Sequence, residues 1–160
     1  MSTATLIPVE EYLNTSYDPD VEYVERNVGD HCHGLIQSNL IFALRKKYST
    51  IKVIPEVRSR TTATRYRLPD VCVMLTPPKT KYLVDAAHIA VEILSEDYGM
   101  SRMPEKLEEY AAQGVPNIWL IDPRLQRISV YAGDNLELVK GDTIATSDGF
   151  ELTRDEIFQQ

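Results

Sequence analysis

The chain has 160 residues, 43% of them hydrophobic and 26% charged, which suits one globular domain able to bury a core of its own. No apolar run approaches the roughly 18 residues that a membrane span needs, and the opening MSTATLIPVEEYL has no basic stretch followed by an apolar one, so no membrane partner and no secretory signal are expected. Cys32 and Cys72, without CxxC spacing, form neither a disulfide framework nor a zinc site, so a cytoplasmic protein with reduced thiols is expected.

The net charge of −7 runs against ordinary nucleic-acid binding, in which a basic surface neutralises phosphate. A metal ion and a local Lys/Arg patch would have to supply that neutralisation, and part of the acidic excess would then be the metal site itself.

In chain order, a first helical turn is expected at residues 9–13, with Pro8 near its start. Residues 17–20 form a turn and 21–27 a short strand. Residues 34–48 carry Leu35, Ile36, Leu40, Ile41 and Leu44 at helical spacing, which predicts an amphipathic helix. Its end, Arg45-Lys46-Lys47, suits the negative end of the helix dipole. Ile51, Val53 and Val57 alternate with polar residues, as in a strand interrupted or bulged near Pro55. A second strand is expected over 66–75, where the run VCVML fits a strand covered on both faces. Residues 77–80 are a loop, and 89–94 another short buried run.

Residues 101–113 predict a helix with Leu107, Tyr110 and Ala111 on one face, stopped by Gly114 and followed by Pro116. Strands follow at 117–122 and 127–132, separated by the turn Asp122-Pro123-Arg124. Gly133-Asp134-Asn135 turns into an edge strand at 136–139, and 152–158 forms a short helix. Strands on both sides of a helix imply an α/β domain, a mixed sheet with helices packed on it, over residues 1–160.

Two carboxylates stand in costly places. Asp70 follows Pro69 and opens the run VCVML, and Glu92 lies inside the run Ile89-Ala90-Val91-Glu92-Ile93-Leu94. A carboxylate in a buried strand is hard to ionise unless a cation or hydrogen bonds compensate. If the two strands are neighbours, both groups can point into one cleft, which is how proteins hold Mg²⁺ for phosphate chemistry. Lys106 comes 14 residues after Glu92 (106 − 92), room for a loop and about one helical turn. It borders the face defined by Leu107 and Tyr110, so its methylenes can lie on the core while its ammonium reaches the cleft. There it would stabilise charge on a scissile phosphate or orient an attacking water. Each residue alone has a plainer reading: Asp70 as a turn cap, Glu92 as a paired or edge charge, Lys106 as a solvated partner of neighbouring glutamates.

The segments Arg67-Leu68-Pro69-Asp70-Val71, Val91-Glu92-Ile93-Leu94-Ser95, Lys106-Leu107-Glu108-Glu109-Tyr110 and Gly114-Val115-Pro116-Asn117-Ile118-Trp119-Leu120-Ile121-Asp122-Pro123 together resemble the Uma2 family, also called DUF820. That family is assigned to the restriction-endonuclease-like PD-(D/E)XK nucleases. The resemblance implies a mixed β-sheet flanked by helices, with Asp70 and Glu92 as metal-binding carboxylates and the backbone carbonyl of Ile93 completing the site. The strand position two after Glu92 is Leu94, and Lys106 matches a lysine that has moved from the strand to the next helix. The family's N-terminal acidic element falls on Glu22, with Glu25 as the alternative, and its histidine on His33. The implied activity is Mg²⁺- (or Mn²⁺-) dependent endonucleolytic hydrolysis of DNA by a homodimer with one active site per strand. Two rivals remain: the same fold as a non-catalytic binding module, and a metal-dependent hydrolase of small phosphorylated substrates.

The other notable residues have mainly structural readings. Trp119 and Tyr110 are core candidates. Glu56 is either an exposed strand residue or a further acidic neighbour of the site. His31 and His33 are too sparse for zinc. Arg58, Arg60, Arg65 and Arg67 are the densest basic cluster, read equally as solvated strand faces and a hairpin tip or as phosphate contacts.

Overall fold

Residues 30–95 and 102–160 are described in the structure, a computed structural model. The expected turn at 9–13, the strand at 21–27 and the acidic candidates Glu22 and Glu25 lie outside these residues. Helix α1 (His31–Lys47) starts three residues earlier than its apolar spacing predicts, because Asp30 caps it by accepting a 2.9 Å hydrogen bond from the His33 N–H. It buries Ile36, Leu40, Ala43 and Leu44 and leaves Leu35 and Phe42 outside.

Strand β1 (Lys52–Pro55) stops where Glu56 turns left-handed at φ 48°, so the interruption near Pro55 is real and Val57 lies beyond the strand. The single strand expected over 66–75 is two. β3 (Tyr66–Arg67) pairs with β2 (Ser59–Arg60) as a small hairpin, and β4 (Val71–Met74) enters the main sheet. The break falls at Leu68-Pro69-Asp70, where Pro69 has no N–H for a ladder.

Next come β5 (Ile89–Ile93) and α2 (Met103–Gln113), which ends on Gly114 at φ 99°, the left-handed stop that its sequence announces. β6 (Asn117–Asp122) and β7 (Arg127–Ala132) have their expected bounds, and β8 (Asn135–Leu138) is the edge strand. A hairpin of β9 (Thr143–Ala145) and β10 (Glu151–Thr153) precedes α3 (Arg154–Phe158). The helix expected from residue 152 begins at Arg154. Leu152 pairs with Ile144, and Thr153 forms a reciprocal capping box with Glu156.

The main sheet has the order β1-β4-β5-β6-β7-β8. β5 and β6 run parallel, and every other neighbouring pair is antiparallel. A parallel pair requires a crossover, and α2 lies within it. Side chains alternate across the sheet. Val71, Val73, Ile89, Val91 and Ile93 pack with α1 and α3, whereas Ala90, Ile118 and Leu120 pack with Leu107 and Tyr110 of α2. Glu92 shares the parity of Ala90, and its side chain therefore lies on the α2 face.

Candidate active site

Glu92 is the only carboxylate among the buried residues of the described chain, at 2% exposure. Both of its oxygens are bonded from α2. Lys106 Nζ lies 2.6 Å from Oε2, and the Tyr110 hydroxyl donates to Oε1 at 2.6 Å. The two donors are four residues apart, so they stand on one helix face above the same strand residue. Burial pushes the Glu92 carboxyl up to about 7 despite the opposing charge of Lys106, and the nearby charge of Asp70 pushes in the same direction. Burial and the facing carboxylate hold the Tyr110 hydroxyl well above the ordinary phenol range, so it remains a donor.

Asp70 stands one residue before β4. The register Val71↔Val91 places it opposite Glu92. Its Oδ2 accepts the Ile93 N–H at 2.7 Å, and His33 Nε2 lies 3.2 Å from Oδ1. The hydrogen bond to Asp70 raises the His33 pKa against the opposing effect of burial. Gln37, one turn along α1 from His33, donates to the Asp70 carbonyl at 2.8 Å, and the Glu56 N–H donates to the same oxygen at 3.3 Å. Asp70 is thus held by α1, β5 and the end of β1 at once. Ile93 presents its peptide groups toward β4, as its N–H bond to Asp70 requires. The residue opposite it in register is Pro69, which has no N–H to offer the Ile93 carbonyl.

Asp70, Glu92, Ile93 and Lys106 therefore meet at one end of the β4–β5 pair. Glu56 is exposed beside them, and its charge is felt by His33. Two contributors were not marked by their residue type. Tyr110 was legible as core but not as a donor, and Gln37 carried no signal beyond its i,i+4 spacing from His33.

The arginine cluster divides between structural uses. Arg67 bonds Glu109 through two nitrogens, at 2.8 and 2.7 Å, and Arg65 reaches Glu105 and Glu109. Arg60 bonds the carbonyls of Thr62 and Ala63, and Arg58 lies against Tyr82. These pairings also explain Lys106. With Glu105 and Glu109 engaged by arginines, its ammonium faces Glu92 rather than its own helix.

Among the described residues no group of three or more His, Cys, Asp or Glu forms a metal cage. Mg²⁺ does not need one, since it is commonly bound through one or two carboxylates and keeps several waters. The donors here, two carboxylates and a backbone carbonyl, are all hard oxygens. The raised Glu92 pKa marks a place where added positive charge would relieve two facing acids. The donor set fits a small divalent ion.

The sequence matches the model of the Uma2 family, described as "Putative restriction endonuclease", over residues 9–155. A solved structure described as a putative nuclease belonging to DUF820, from Anabaena variabilis ATCC 29413, has a TM-score of 0.69 at 18% identity. The alignment covers 96% of this chain and 98% of that one, and the two share a fold. A second, described as "cryoEM structure DrdV-DNA complex", overlaps 68% of this chain and 12% of its own at 13% identity. Its TM-score of 0.36 is too low to define a common fold. No curated protein matches the sequence. With 147 of 160 residues inside the family match (155 − 9 + 1), the chain belongs to the Uma2 family.

Proposed function

We propose that the chain is a metal-dependent endonuclease that hydrolyses phosphodiester bonds in DNA as a homodimer. Asp70, Glu92 and the Ile93 carbonyl would hold Mg²⁺ or Mn²⁺. The observation that carries this reading is the 2.6 Å approach of Lys106 to a buried Glu92 lying opposite Asp70. The descriptions of the family and of the DUF820 neighbour agree with it.

When bound, such an ion polarises a phosphoryl oxygen and lowers the pKa of a water. The chain's own groups do the rest. Lys106, with its side chain 20% exposed, can swing its ammonium from Glu92 toward a phosphate and stabilise the charge that develops there. Tyr110 fixes the Glu92 carboxylate through Oε1, and the Ile93 N–H with His33 fixes both oxygens of Asp70.

Nicking of supercoiled plasmid tests the assignment, with Mg²⁺, Mn²⁺ or EDTA present and with the Lys106→Ala variant alongside. Cleavage should require the metal and should fall by about 100-fold or more in the variant. Mg²⁺ binding measured by calorimetry should survive the substitution, because Lys106 is not a ligand. Plasmid left intact by the wild-type chain in both metals would overturn the reading.

A further inference from the structure

An open groove of about 660 Å³ runs along α1, with Gly34, Gln37, Phe42, Arg45, Lys46 and Glu56 among its lining residues. One end meets the candidate site. Gln37 and the Glu56 N–H both bond the Asp70 carbonyl, and Gly34 directly follows His33, the partner of the Asp70 carboxylate. The other end is basic. Gln37 to Arg45 is eight residues, about 12 Å of helix, or a few nucleotides at roughly 3.4 Å per phosphate of stacked strand.

We propose that this groove carries one strand of a nucleic acid away from the scissile phosphate. An unpaired base stacks on Phe42, and Arg45 and Lys46 hold the adjoining phosphates. The proposal rests on the nuclease reading and adds to it the path of the substrate.

Three observations carry it. Phe42 is 61% exposed, the highest value among the exposed large apolar side chains, and Lys46 Nζ sits 5.6 Å from its ring centroid. An aromatic ring beside a cation on a groove wall is the platform on which single-stranded bases stack, whatever their sequence. Arg45 and Lys46 have no carboxylate partner among the described residues, whereas Lys47 is paired with Glu156 at 2.8 Å. Basic residues at a helix end also answer its dipole, but the dipole does not account for the exposed ring beside them. Finally, Arg65 and Arg67 of the evident basic cluster are engaged by Glu105 and Glu109, whereas Arg45 and Lys46 lie in the groove beside the candidate site with their charges available to phosphate. A base inside a duplex has both faces stacked and offers none to Phe42, so the occupant is an unpaired stretch.

Phe42→Trp supplies a direct readout. Trp119 is the single tryptophan and is buried, so the added indole dominates any change in emission caused by a base stacked on it. Labelled 12-nucleotide strands of dT and of U, and a duplex, are titrated in Ca²⁺ and again in EDTA. Single strands should quench the Phe42→Trp emission, and the dT and U arms report whether the sugar matters. Phe42→Ala and the double variant Arg45→Ala/Lys46→Ala should each weaken strand binding about tenfold, and the double variant should also flatten its salt dependence. All three positions are exposed, and unchanged thermal melts would confirm folding. If the wild-type chain nicks plasmid while these variants bind strands as tightly as it does and the indole is not quenched, the groove assignment fails and the nuclease reading stands. Tight duplex binding indifferent to Phe42 also overturns it. If the wild-type chain neither binds a strand nor nicks plasmid, both fall.

Discussion

Glu92 is held by two donors on one helix, and they do different jobs. Lys106 brings charge and can leave, whereas the buried Tyr110 hydroxyl brings a hydrogen bond and stays. Tyr110→Phe keeps the ring packing but leaves a buried carboxylate oxygen one donor short, a loss that typically costs about 1–3 kcal/mol. Urea denaturation should show that loss, with cleavage reduced less than by Lys106→Ala. A variant as stable as the wild-type chain would mean that the Tyr110 bond contributes nothing to the site. How much of this was legible differs residue by residue. Glu92 announced itself as a charge inside an apolar run, and Asp70 and Lys106 became readable through the joint pattern with it. The hydroxyl of Tyr110, the amide of Gln37 and the ring of His33 act across elements. Their roles depend on which strand lies beneath which helix turn, and residue type alone does not encode that.

Helix α2 is positioned by the β2–β3 hairpin. Arg67 and Arg65 grip Glu109, Thr61 donates to the same carboxylate at 2.8 Å, and Gln113 bonds the Arg60 carbonyl at 2.8 Å. The exposed Arg65–Glu105 arm adds little by itself. Glu109 is the hub, and the Arg67 guanidinium holds its carboxyl down to about 2, below the ordinary 4.5. A carboxyl whose folded pKa is depressed contributes stability above its unfolded pKa and loses it as the pH falls through the folded one. Stability measured against pH should therefore show Glu109→Gln weaker than the wild-type chain at pH 6, with the difference closing between about pH 4.5 and 2. Parallel curves over that window would remove Glu109 from the clasp. A hairpin tip is one of the readings of the arginine cluster, but its second strand was hidden because residues 66–75 read as one strand. Pro69 marks the break between Tyr66–Arg67, which joins β2, and Val71–Met74, which joins β1 and β5, but the partner that each segment takes is set by tertiary pairing. The pair β9–β10 was missed because each strand has only three residues, too few to establish an alternation. β6 and β7 were found at their exact bounds because turn residues mark their ends and apolar residues fill them.

At the scale of the molecule, each chain brings a single copy of the candidate site at Asp70 and Glu92, whereas a duplex has two strands of opposite direction. The two strands are related by a local twofold axis. Two copies of the chain arranged about such an axis would place one site at each strand, and twofold dimers are the commonest closed assemblies. Net charge bears on this in both directions. A charge of −7 on each chain disfavours bringing two copies together through long-range repulsion, so their contact would have to be apolar and short-ranged, and it would tighten with added salt. The sheet has a face suited to such a contact at its far edge from β1, where β8, paired among the described residues with β7 alone, exposes Leu136 and Leu138 at 43% and 49%. Light scattering at micromolar concentration should accordingly give twice the 18.2 kDa of one chain, with the dimer fraction rising between low and moderate salt. Under the same conditions, plasmid should become linear without long accumulation of the nicked circle. A species of 18.2 kDa at every salt concentration, with nicked circles building up ahead of linear DNA, would show a monomer that cuts one strand per encounter and would end the dimer proposal while leaving the proposed role of Glu92 untouched.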